Sequence, residues 1–450
     1  MASPEAFPAS VEGGISGDAA GPRDRATKKV APYTLYSSWQ RWGYLSILFL
    51  VTTSNYFDYY VISIVLDPIK QQFHLSDTSL GMLSGFGFAA VYAFAALPIA
   101  KWADRGNRRT LIALTLAGWS VMTAFCGLAQ SYTQLMFARL GVALTEPGGA
   151  APAQSLLADF FPPERRATAI SLLIQGGSAV GYCIGIVFGG YIAARYGWRM
   201  SFLLAALPGL LLAVLVRGFL PEPRCKLGMP TAKETTETTR QSIHHLRGKL
   251  SYVLALVSVT SYAVFAYGTS LFLPTFMLRG LHATLEQVSV TWGLTVSVAM
   301  VIGALVGGRL ADRLGQRDIR YYAWLPAVTY AIGLPLYAVI LSTHDIWTFI
   351  VVDFPAETVL AIGFSVSFSA IHVVCGSTRR ATAIAIAYFF IMLLGCGLGP
   401  FLAGVISDSL SATYGQESIR YALLCMVLFL VPANICLLWG GKAMPGDVEH

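Results

Sequence analysis

The sequence has little charge. Asp, Glu, Lys and Arg make up 12% of its 450 residues, which is about half the share typical of a soluble domain. Hydrophobic residues make up 55%, and the mean hydropathy is +0.60. A water-soluble core cannot hold this much apolar surface. The composition therefore excludes an ordinary soluble domain and predicts a protein whose surroundings are lipid.

The sequence also lacks the motifs of catalysis and cofactor binding. It contains no Gly-rich phosphate loop followed by Lys and Ser or Thr, which argues against ATP as a source of energy. Its seven cysteines are scattered without metal-ligand spacing, and His372 and the pair His244-His245 are isolated. We therefore expect a protein that is not an enzyme and needs no metal or cofactor.

Only two long segments are polar. Residues 1–40 are rich in Gly, Ser, Ala, Pro and charge, and they contain no apolar stretch of the kind that a signal peptide requires. A disordered N-terminal tail is therefore expected. Residues 221–250 form the second polar segment, which predicts a peripheral linker between two apolar halves.

The chain contains an internal repeat of one apolar unit. Residues 165–170 (RRATAI) recur unchanged at 379–384, an offset of 214, and Asp104 aligns with Asp312 at an offset of 208. Two homologous apolar halves are typical of secondary transporters, whose substrate site lies between the halves. Glycines that keep the offset of 214 are Gly181 with Gly395, Gly185 with Gly399 and Gly190 with Gly404.

Each half contains six apolar stretches that are long enough to cross a membrane as helices, which takes roughly 20 residues. Many are rich in Gly and Ala, residues that let helices approach closely in lipid. The predicted spans are 44–66, 80–102, 110–129, 134–158, 168–193 and 200–220 in the first half, and 252–277, 288–310, 322–341, 346–374, 382–407 and 420–440 in the second.

The basic residues lie mostly on one side of these spans. If the N-terminus is inside, the inner segments hold 23 Lys and Arg residues and the outer loops hold five. The positive-inside rule then predicts that both termini are cytoplasmic, in a bacterial inner membrane or a plasma membrane. The same asymmetry accounts for the net charge of +7 without a nucleic-acid partner.

Several motifs resemble those of the major facilitator superfamily. Residues 103–109 (ADRGNRR) resemble its motif between helices 2 and 3, and residues 139–146 (RLGVALTE) resemble its fourth-helix motif. Three further segments are similar to the Spinster-like group of that superfamily: 55–58 (NYFD), 158–165 (ADFFPPER) and 181–185 (GYCIG).

This resemblance implies an all-α membrane protein with twelve transmembrane helices in two pseudo-symmetric six-helix bundles. The bundles would cover residues 41–220 and 251–441, with the linker 221–250 between them and cytoplasmic tails at 1–40 and 442–450. Members of the group carry lysophospholipids or sphingolipid-derived signals. The resemblance therefore implies a monomeric transporter of a lipid-like substrate that works by rocker-switch alternating access.

Three ionisable residues fall inside predicted spans of the first half, where charge is costly and marks a functional site. Arg139 and Glu146 lie seven residues apart on one face of helix 4, and Asp58 lies in helix 1 at a similar depth. Arg139 keeps its charge and can hold one acid ionised, while the other acid can take up a proton. We predict a proton-coupling cluster; the alternative is a static buried salt bridge.

Two acids fall inside predicted helix 10. Asp353 and Glu357 are four residues apart on one face, and Asp353 occupies the repeat position of Arg139. These acids can bind a cationic or hydroxylated group, or Asp353 can pair with Arg139 as an outer gate. The alternative is that they face an outer water-filled vestibule.

Two further sets of residues are candidates for the transport path. The polar and aromatic side chains that can line an amphipathic cavity, each of which can equally be a packing residue, are Asn55, Tyr59, Gln175, Tyr262, Tyr267 and Tyr388, together with Arg139, Asp353 and Glu357. The charged residues that can latch the cytoplasmic face as the halves rock are Asp104, Arg105, Arg108, Arg109, Asp312, Arg313 and Arg317.

These features predict a proton-coupled secondary transporter for an amphipathic, anionic or zwitterionic lipid-like substrate, with protons and membrane lipids as its other partners. Three alternatives stay open: a proton symporter for a small organic anion, a facilitator without proton coupling, and a sensor that binds its ligand without transport.

Overall fold

The protein is almost entirely helical. The structure, a computed structural model, describes residues 32–224 and 239–447. The helices of the first half are α1 (Ser38–Phe73), α2 (Asp77–Gly81, continued through a π-helical turn at Met82–Phe86 into Gly87–Arg105), α3 (Arg108–Leu128), α4 (Tyr132–Thr145 and Pro147–Phe160), α5 (Pro163–Ser171, a π-helical turn at Leu172–Gly176, and Gly177–Tyr196) and α6 (Trp198–Phe219).

The second half repeats this series after a short linker helix at Thr239–Arg247. Its helices are α7 (Leu250–Gly280), α8 (π-helical at Gln287–Trp292, then Gly293–Gly315), α9 (Tyr321–Ser342), α10 (Ile346–Val374), α11 (Gly376–Phe390, a π-helical stretch at Ile391–Leu398, and Gly399–Tyr414) and α12 (Ser418–Val427 and Leu430–Asp447).

The predicted spans fall within the observed helices. Each predicted span lies within one of these helices to within one residue, and α10 begins and ends where it was predicted. Side chains cap several starts, as where Asn107 accepts a hydrogen bond from the backbone of Thr110 at the start of α3. Helix α1 extends beyond the apolar stretch 44–66 at both ends, because polar residues continue a helix after it leaves an apolar environment.

Nine stretches of the described residues are long and apolar enough to cross a membrane. The last of them, Thr382–Asp447, contains most of α11 and all of α12, whereas α1 and the broken α4 are not among the nine. The twelve-helix count therefore stays a prediction, although the order of helices follows it.

The two halves pack their helices in the same pattern. In the first half α1 packs along α5, α2 along α4 and α3 along α6, and in the second half α7 packs along α11, α8 along α10 and α9 along α12. Between the halves, α2 packs against α11 and α5 against α8. The repeat in the sequence is therefore also a repeat in the packing of the described helices, with an interface between the two halves.

Glycines bring the halves into backbone contact. A Cβ added at Gly81 of α2 would lie 2.4 Å from the carbonyl oxygen of Pro400 in α11, and one at Gly404 would lie 2.3 Å from that of Asp77. A Cβ at Gly190 of α5 would meet the side chain of Ser289 in α8 at 2.3 Å. Any larger residue at these positions would push the halves apart.

Two ends of the bundle can be distinguished. We call the end where α1 begins and α12 ends the terminal face, and the end where α1 meets α2 and where α7 ends the far face. Gly81, Gly190 and Gly404 all lie within the far-face half of their helices. Tight packing between the halves is thus present near the far face.

Candidate functional site

A break in α4 positions the acid at its centre. Pro147 has no N–H group to donate to the carbonyl of the preceding turn, so α4 divides into two helices at this point. Glu146 stands at the division, and its side chain accepts a hydrogen bond from the Asn55 amide of α1 at 2.9 Å. The break therefore presents a partly buried carboxylate to α1.

The second acid of the first half lies deeper in the helix packing. Asp58 of α1 is 4% exposed, and one of its carboxylate oxygens accepts a hydrogen bond from the Thr123 hydroxyl of α3 at 2.6 Å. The other oxygen is buried without a hydrogen-bond partner. One carboxylate oxygen of Asp58 is thus free to accept a hydrogen bond from another group.

Arg139, the cation of the cluster, also lacks some of its hydrogen-bond partners. Arg139 of α4 is 1% exposed, its Nε and Nη2 atoms have no hydrogen-bond partner, and its guanidinium lies over the Phe88 ring at 4.8 Å. It interacts through its charge with both Asp58 and Glu146, and those two acids interact with each other. The structure therefore brings the three predicted residues together, without a direct ion pair between them.

The acids of α10 form a separate cluster in the second half. Asp353 is fully buried, with one oxygen accepting a hydrogen bond from Trp292 Nε1 of α8 at 2.7 Å and the other oxygen unpartnered. Glu357 is partly buried and accepts a short hydrogen bond from the Tyr337 hydroxyl of α9. The alternative in which Asp353 pairs with Arg139 is not observed, because both groups bond or stack within their own half.

The remaining predicted cavity residues divide into two groups. Tyr59 contacts the Cys396 sulfur of α11 through its hydroxyl at 3.2 Å and lies edge-on to Tyr267 of α7, so both tyrosines lie at the interface between the halves. Tyr262 stacks on Tyr330 at 4.7 Å within the second half.

Two predicted cavity residues make no hydrogen bond to the buried acids within the described residues. Tyr388 is 47% exposed and stacks on Phe368 at 5.5 Å. Gln175 is exposed, and its side chain makes no hydrogen bond within the described parts of the chain. The structure therefore does not join either residue to the buried acids.

At the terminal face, Arg108 forms a dense network within the first half. Its fully buried guanidinium bonds to Glu222 and Asp159 at 2.6 Å each and to Ser155 at 3.0 Å. Burial by itself raises the pKa of Glu222, but the hydrogen bonds and charge of Arg108 outweigh it and hold that pKa below its ordinary value. This network joins the start of α3 to the end of α4 and to the beginning of the linker.

The other predicted latch residues have different surroundings. Arg109 donates to the Leu220 carbonyl at 3.3 Å, also within the first half. Asp312, Arg313 and Arg317 are exposed at the terminal face and make no ion pair with the described residues. The side chains of Asp104 and Arg105 lie outside the described part of the structure. A latch between the halves at this face therefore stays a prediction.

Sequence reasoning missed a charged network at the far face, which we call the far latch. Arg279 at the end of α7 bonds to Asp67 of α1 at 2.6 Å and to Asp77 of α2 at 3.0 Å. The Asp77 carboxylate also forms an ion pair with the Lys70 ammonium at 2.7 Å. The latch joins the two halves where α1 and α7 end and α2 begins.

The far latch is extended by hydrogen bonds between α2 and α11. Asp408 accepts the backbone N–H groups of Asp77 at 2.9 Å and Thr78 at 2.7 Å, and Ser407 donates to the Asp77 carboxylate at 2.7 Å. The Asp408 carboxylate thus accepts from the first N–H groups of α2, which otherwise have no backbone partner. One sequence signal was present, since Asp67 directly follows the predicted apolar span 44–66, but nothing in the sequence indicates its partner.

Comparisons with known proteins agree with this architecture. Residues 48–400 match the family model described as Major Facilitator Superfamily. A solved structure described as a bacterial homologue of the human lysosomal transporter Spinster, in an inward-facing and unoccupied conformation, is similar with a TM-score of 0.83 and 26% identity. That likeness covers 92% of this chain and 100% of the other.

Relatives of known name are also similar over most of the chain. An MFS-type efflux pump of Mycolicibacterium smegmatis is 32% identical over 89% of this chain and 92% of its own length. A cis,cis-muconate transport protein of Acinetobacter baylyi is 27% identical, over 80% and 86%. The sphingosine-1-phosphate transporter SPNS2 of Danio rerio is 27% identical, over 85% and 79%.

Proposed function

The chain belongs to the major facilitator superfamily and is Spinster-like, and from that premise we propose that it is a proton-coupled secondary active transporter of an amphipathic, anionic or zwitterionic lipid-like substrate. The family consists of multi-pass integral membrane transporters and not of enzymes. Proton coupling, the substrate class and the direction of opening are the proposed parts.

The observation that carries the proton coupling is the set of incompletely paired charges around Arg139. An ionised carboxylate away from water costs free energy, which either a proton or a cation can offset. Arg139 is close enough to interact with both Asp58 and Glu146 but is bonded to neither. Protonation of one acid frees Arg139 to bind the other acid or the anionic group of a substrate. Proton occupancy is then linked to substrate occupancy.

Alternating access is supported by the far latch. The far latch, with Arg279 at its centre, and the glycine contacts of α2 with α11 hold the halves together at the far face. The predicted positive-inside orientation makes the terminal face cytoplasmic, so this conformation is inward-open, as in the similar structure described as inward-facing. Rocking about the central cluster would break the far latch and close the terminal face.

The exposed charges at the terminal face suit the proposed closure. Asp312, Arg313 and Arg317 make no ion pair with the described residues in the present conformation. We propose that they, with Asp104, Arg105 and Arg109, form ion pairs when the halves close at the cytoplasmic side. Arg108 has a different role, because its ion pairs link elements of the first half to one another and do not reach the second half.

A lipid-like substrate is supported by the likeness to a sphingosine-1-phosphate transporter and by the tyrosines at the interface between the halves. Tyr59 and Tyr267 offer apolar ring faces beside polar hydroxyls, which suits an amphiphile. The second candidate is symport of a small organic anion, which is favoured by the likeness to a muconate transport protein.

The test is accumulation in proteoliposomes that contain the full-length protein and an imposed pH gradient. Lysophosphatidylethanolamine and cis,cis-muconate are supplied in parallel, with and without nigericin to collapse the gradient. We expect accumulation of the lysolipid that disappears when the gradient collapses. Accumulation of muconate alone supports the second candidate. Accumulation that is the same with and without the pH gradient contradicts proton coupling.

A further inference from the structure

The two buried acidic clusters differ in charge balance. Asp58 and Glu146 share the charge of Arg139, whereas Asp353 and Glu357 have no basic side chain within ion-pair distance among the described residues. Asp353 and Glu357 also interact with each other through their charges. Two acids side by side without a base carry a negative charge that either protons or an incoming cation can offset, and a cation can take the place of the protons.

Unused acceptor atoms mark where that group can bind. Asp353 is fully buried, and its Oδ1 atom has no hydrogen-bond partner. Glu357 uses Oε1 to accept from Tyr337, and its Oε2 atom has no hydrogen bond to the described residues. Buried acceptors are normally satisfied, so the free Oδ1 atom of Asp353, one helical turn from Glu357, marks a place where a further donor can bind.

The cluster faces the interface between the halves. Tyr60 of α1 and Tyr182 of α5, which pack edge-on at 4.5 Å, both lie within electrostatic range of Glu357. On the side of the second half, Tyr262 is also within that range. Among the described residues, the titratable groups that interact with Glu357 include these three tyrosines, Tyr337 and Asp353. Aromatic rings attract a cation at their faces.

We propose that Asp353 and Glu357 form a cation subsite that takes the ammonium group of a zwitterionic substrate. Glu357, which is partly exposed, would receive the ammonium first, and Asp353 would accept a second N–H through its free oxygen. A primary ammonium suits the site better than a metal ion because it supplies N–H donors to both acids. The inference rests on the proposed function, and it narrows the lipid-like class to compounds that carry an anionic group for Arg139 and an ammonium group for α10.

The test compares two lysolipids with the same acyl chain and an anionic phosphate, of which only one carries an ammonium group. Binding of lysophosphatidylethanolamine and of lysophosphatidic acid is measured on the full-length protein in nanodiscs. The Glu357→Gln variant retains an acceptor for Tyr337. We expect it to bind lysophosphatidylethanolamine about tenfold more weakly, which corresponds to roughly 1.4 kcal/mol of binding free energy. Binding of lysophosphatidic acid should be unchanged.

Three further variants separate a binding role from a structural one. Glu357→Asp keeps the charge and should restore part of the affinity for lysophosphatidylethanolamine. Glu286→Gln replaces an exposed acid of the same half and should change neither affinity. Arg139→Gln should weaken binding of both lysolipids, because both carry the anionic group.

The outcomes distinguish this inference from the proposed function. If the wild type binds both lysolipids and Glu357→Gln weakens both equally or neither, the cation subsite is wrong while the lipid-like substrate class stands. If the wild type binds neither lysolipid, the lipid-like substrate class fails and this inference fails with it. Selective loss of lysophosphatidylethanolamine binding supports both.

Discussion

Helices α4 and α10 occupy equivalent places in the two halves, and their buried charges are inverted. Arg139 of α4 and Asp353 of α10 are separated by the repeat offset of 214 residues, and each is almost fully buried. The first half combines its cation with Asp58 and Glu146, whereas the second half places Glu357 beside Asp353. The repeat has thus kept the position of a buried charge and changed its sign, which fits the proposed proton exchange in the first half and the proposed cation recognition in the second.

The terminal face shows a second difference between the halves. In the first half, Arg108 is fully buried and bonded to Glu222 and Asp159. In the second half, the corresponding motif leaves Arg317 exposed. The same type of sequence therefore stabilises one half internally and leaves charges of the other half available at the surface.

The largest expected effect separates these two arginines. Arg108→Gln should lower the free energy of unfolding by about 3–5 kcal/mol, because it leaves buried Glu222 and partly buried Asp159 without their cation. Arg317→Gln should change it by less than about 0.5 kcal/mol. Thermal unfolding of the two variants in detergent checks the contrast, and equal destabilisation would remove this distinction between the halves.

The next effect concerns the inverted charges. Arg139→Gln should lower gradient-driven transport of lysophosphatidylethanolamine about 100-fold, which corresponds to roughly 2.7 kcal/mol, because Asp58 and Glu146 lose their common cation. Arg139→Lys keeps the charge and should retain part of the transport. Initial rates in proteoliposomes measure both. Equal rates in wild type and Arg139→Gln would show that the central cation has no part in transport.

A smaller effect is expected at the far latch. Arg279→Gln should shift the balance toward the conformation that is open at the far face by about tenfold, since a partly buried ion pair to Asp67 and Asp77 is lost. Lys70→Gln is the matched control, because Lys70 is more exposed and bonds within the first half only. Distances between spin labels on α2 and α11 report the shift. An unchanged distance distribution in Arg279→Gln would contradict the far latch.

The smallest effect is a dependence of stability on pH in the first half alone. Because the pKa of Glu222 is held below its ordinary value, its contribution to stability is complete at neutral pH. That contribution is lost as the pH falls below about 4.3, the ordinary value for Glu, and through the lowered value. The melting temperature of the wild type should therefore fall more steeply with acid than that of Glu222→Gln.

The control for this pH effect is Glu164→Gln, which replaces an exposed acid near the same face. Its melting temperature should follow the wild-type curve. If Glu222→Gln also follows that curve, the network around Arg108 does not contribute the expected acid sensitivity.

The sequence was sufficient to predict the helices and most of the central cluster. Apolar runs of about 20 residues fix the helices because lipid leaves few other backbone conformations. The spacing of Arg139 and Glu146 on one helix, with Asp58 at a matching depth, predicted that α1 and α4 meet at this level, and Asn55 of α1 bonds to Glu146 at 2.9 Å. What could not be predicted was that Arg139 makes no direct ion pair, since this depends on side-chain conformations.

Contacts between distant helix ends were beyond sequence reasoning. The far latch joins Asp67, Asp77 and Arg279, which stand at three separate helix ends and individually look like ordinary loop charges. Conversely, Arg108 was predicted to act as a latch between the halves. Its partner Glu222 instead lies just after α6, which ends beside the start of α3, so this ion pair does not reach the second half. Local motifs indicate which residues are charged, while the tertiary packing decides which of them meet.

The central claim, proton coupling through Glu146, is tested most directly by comparing two assays on Glu146→Gln in proteoliposomes. One assay measures accumulation of lysophosphatidylethanolamine driven by a pH gradient, and the other measures exchange of labelled for unlabelled lysolipid at equilibrium. We predict that the variant loses accumulation and retains exchange, because Gln cannot release a proton but can still bond to Asn55. Accumulation equal to that of the wild type would contradict the account.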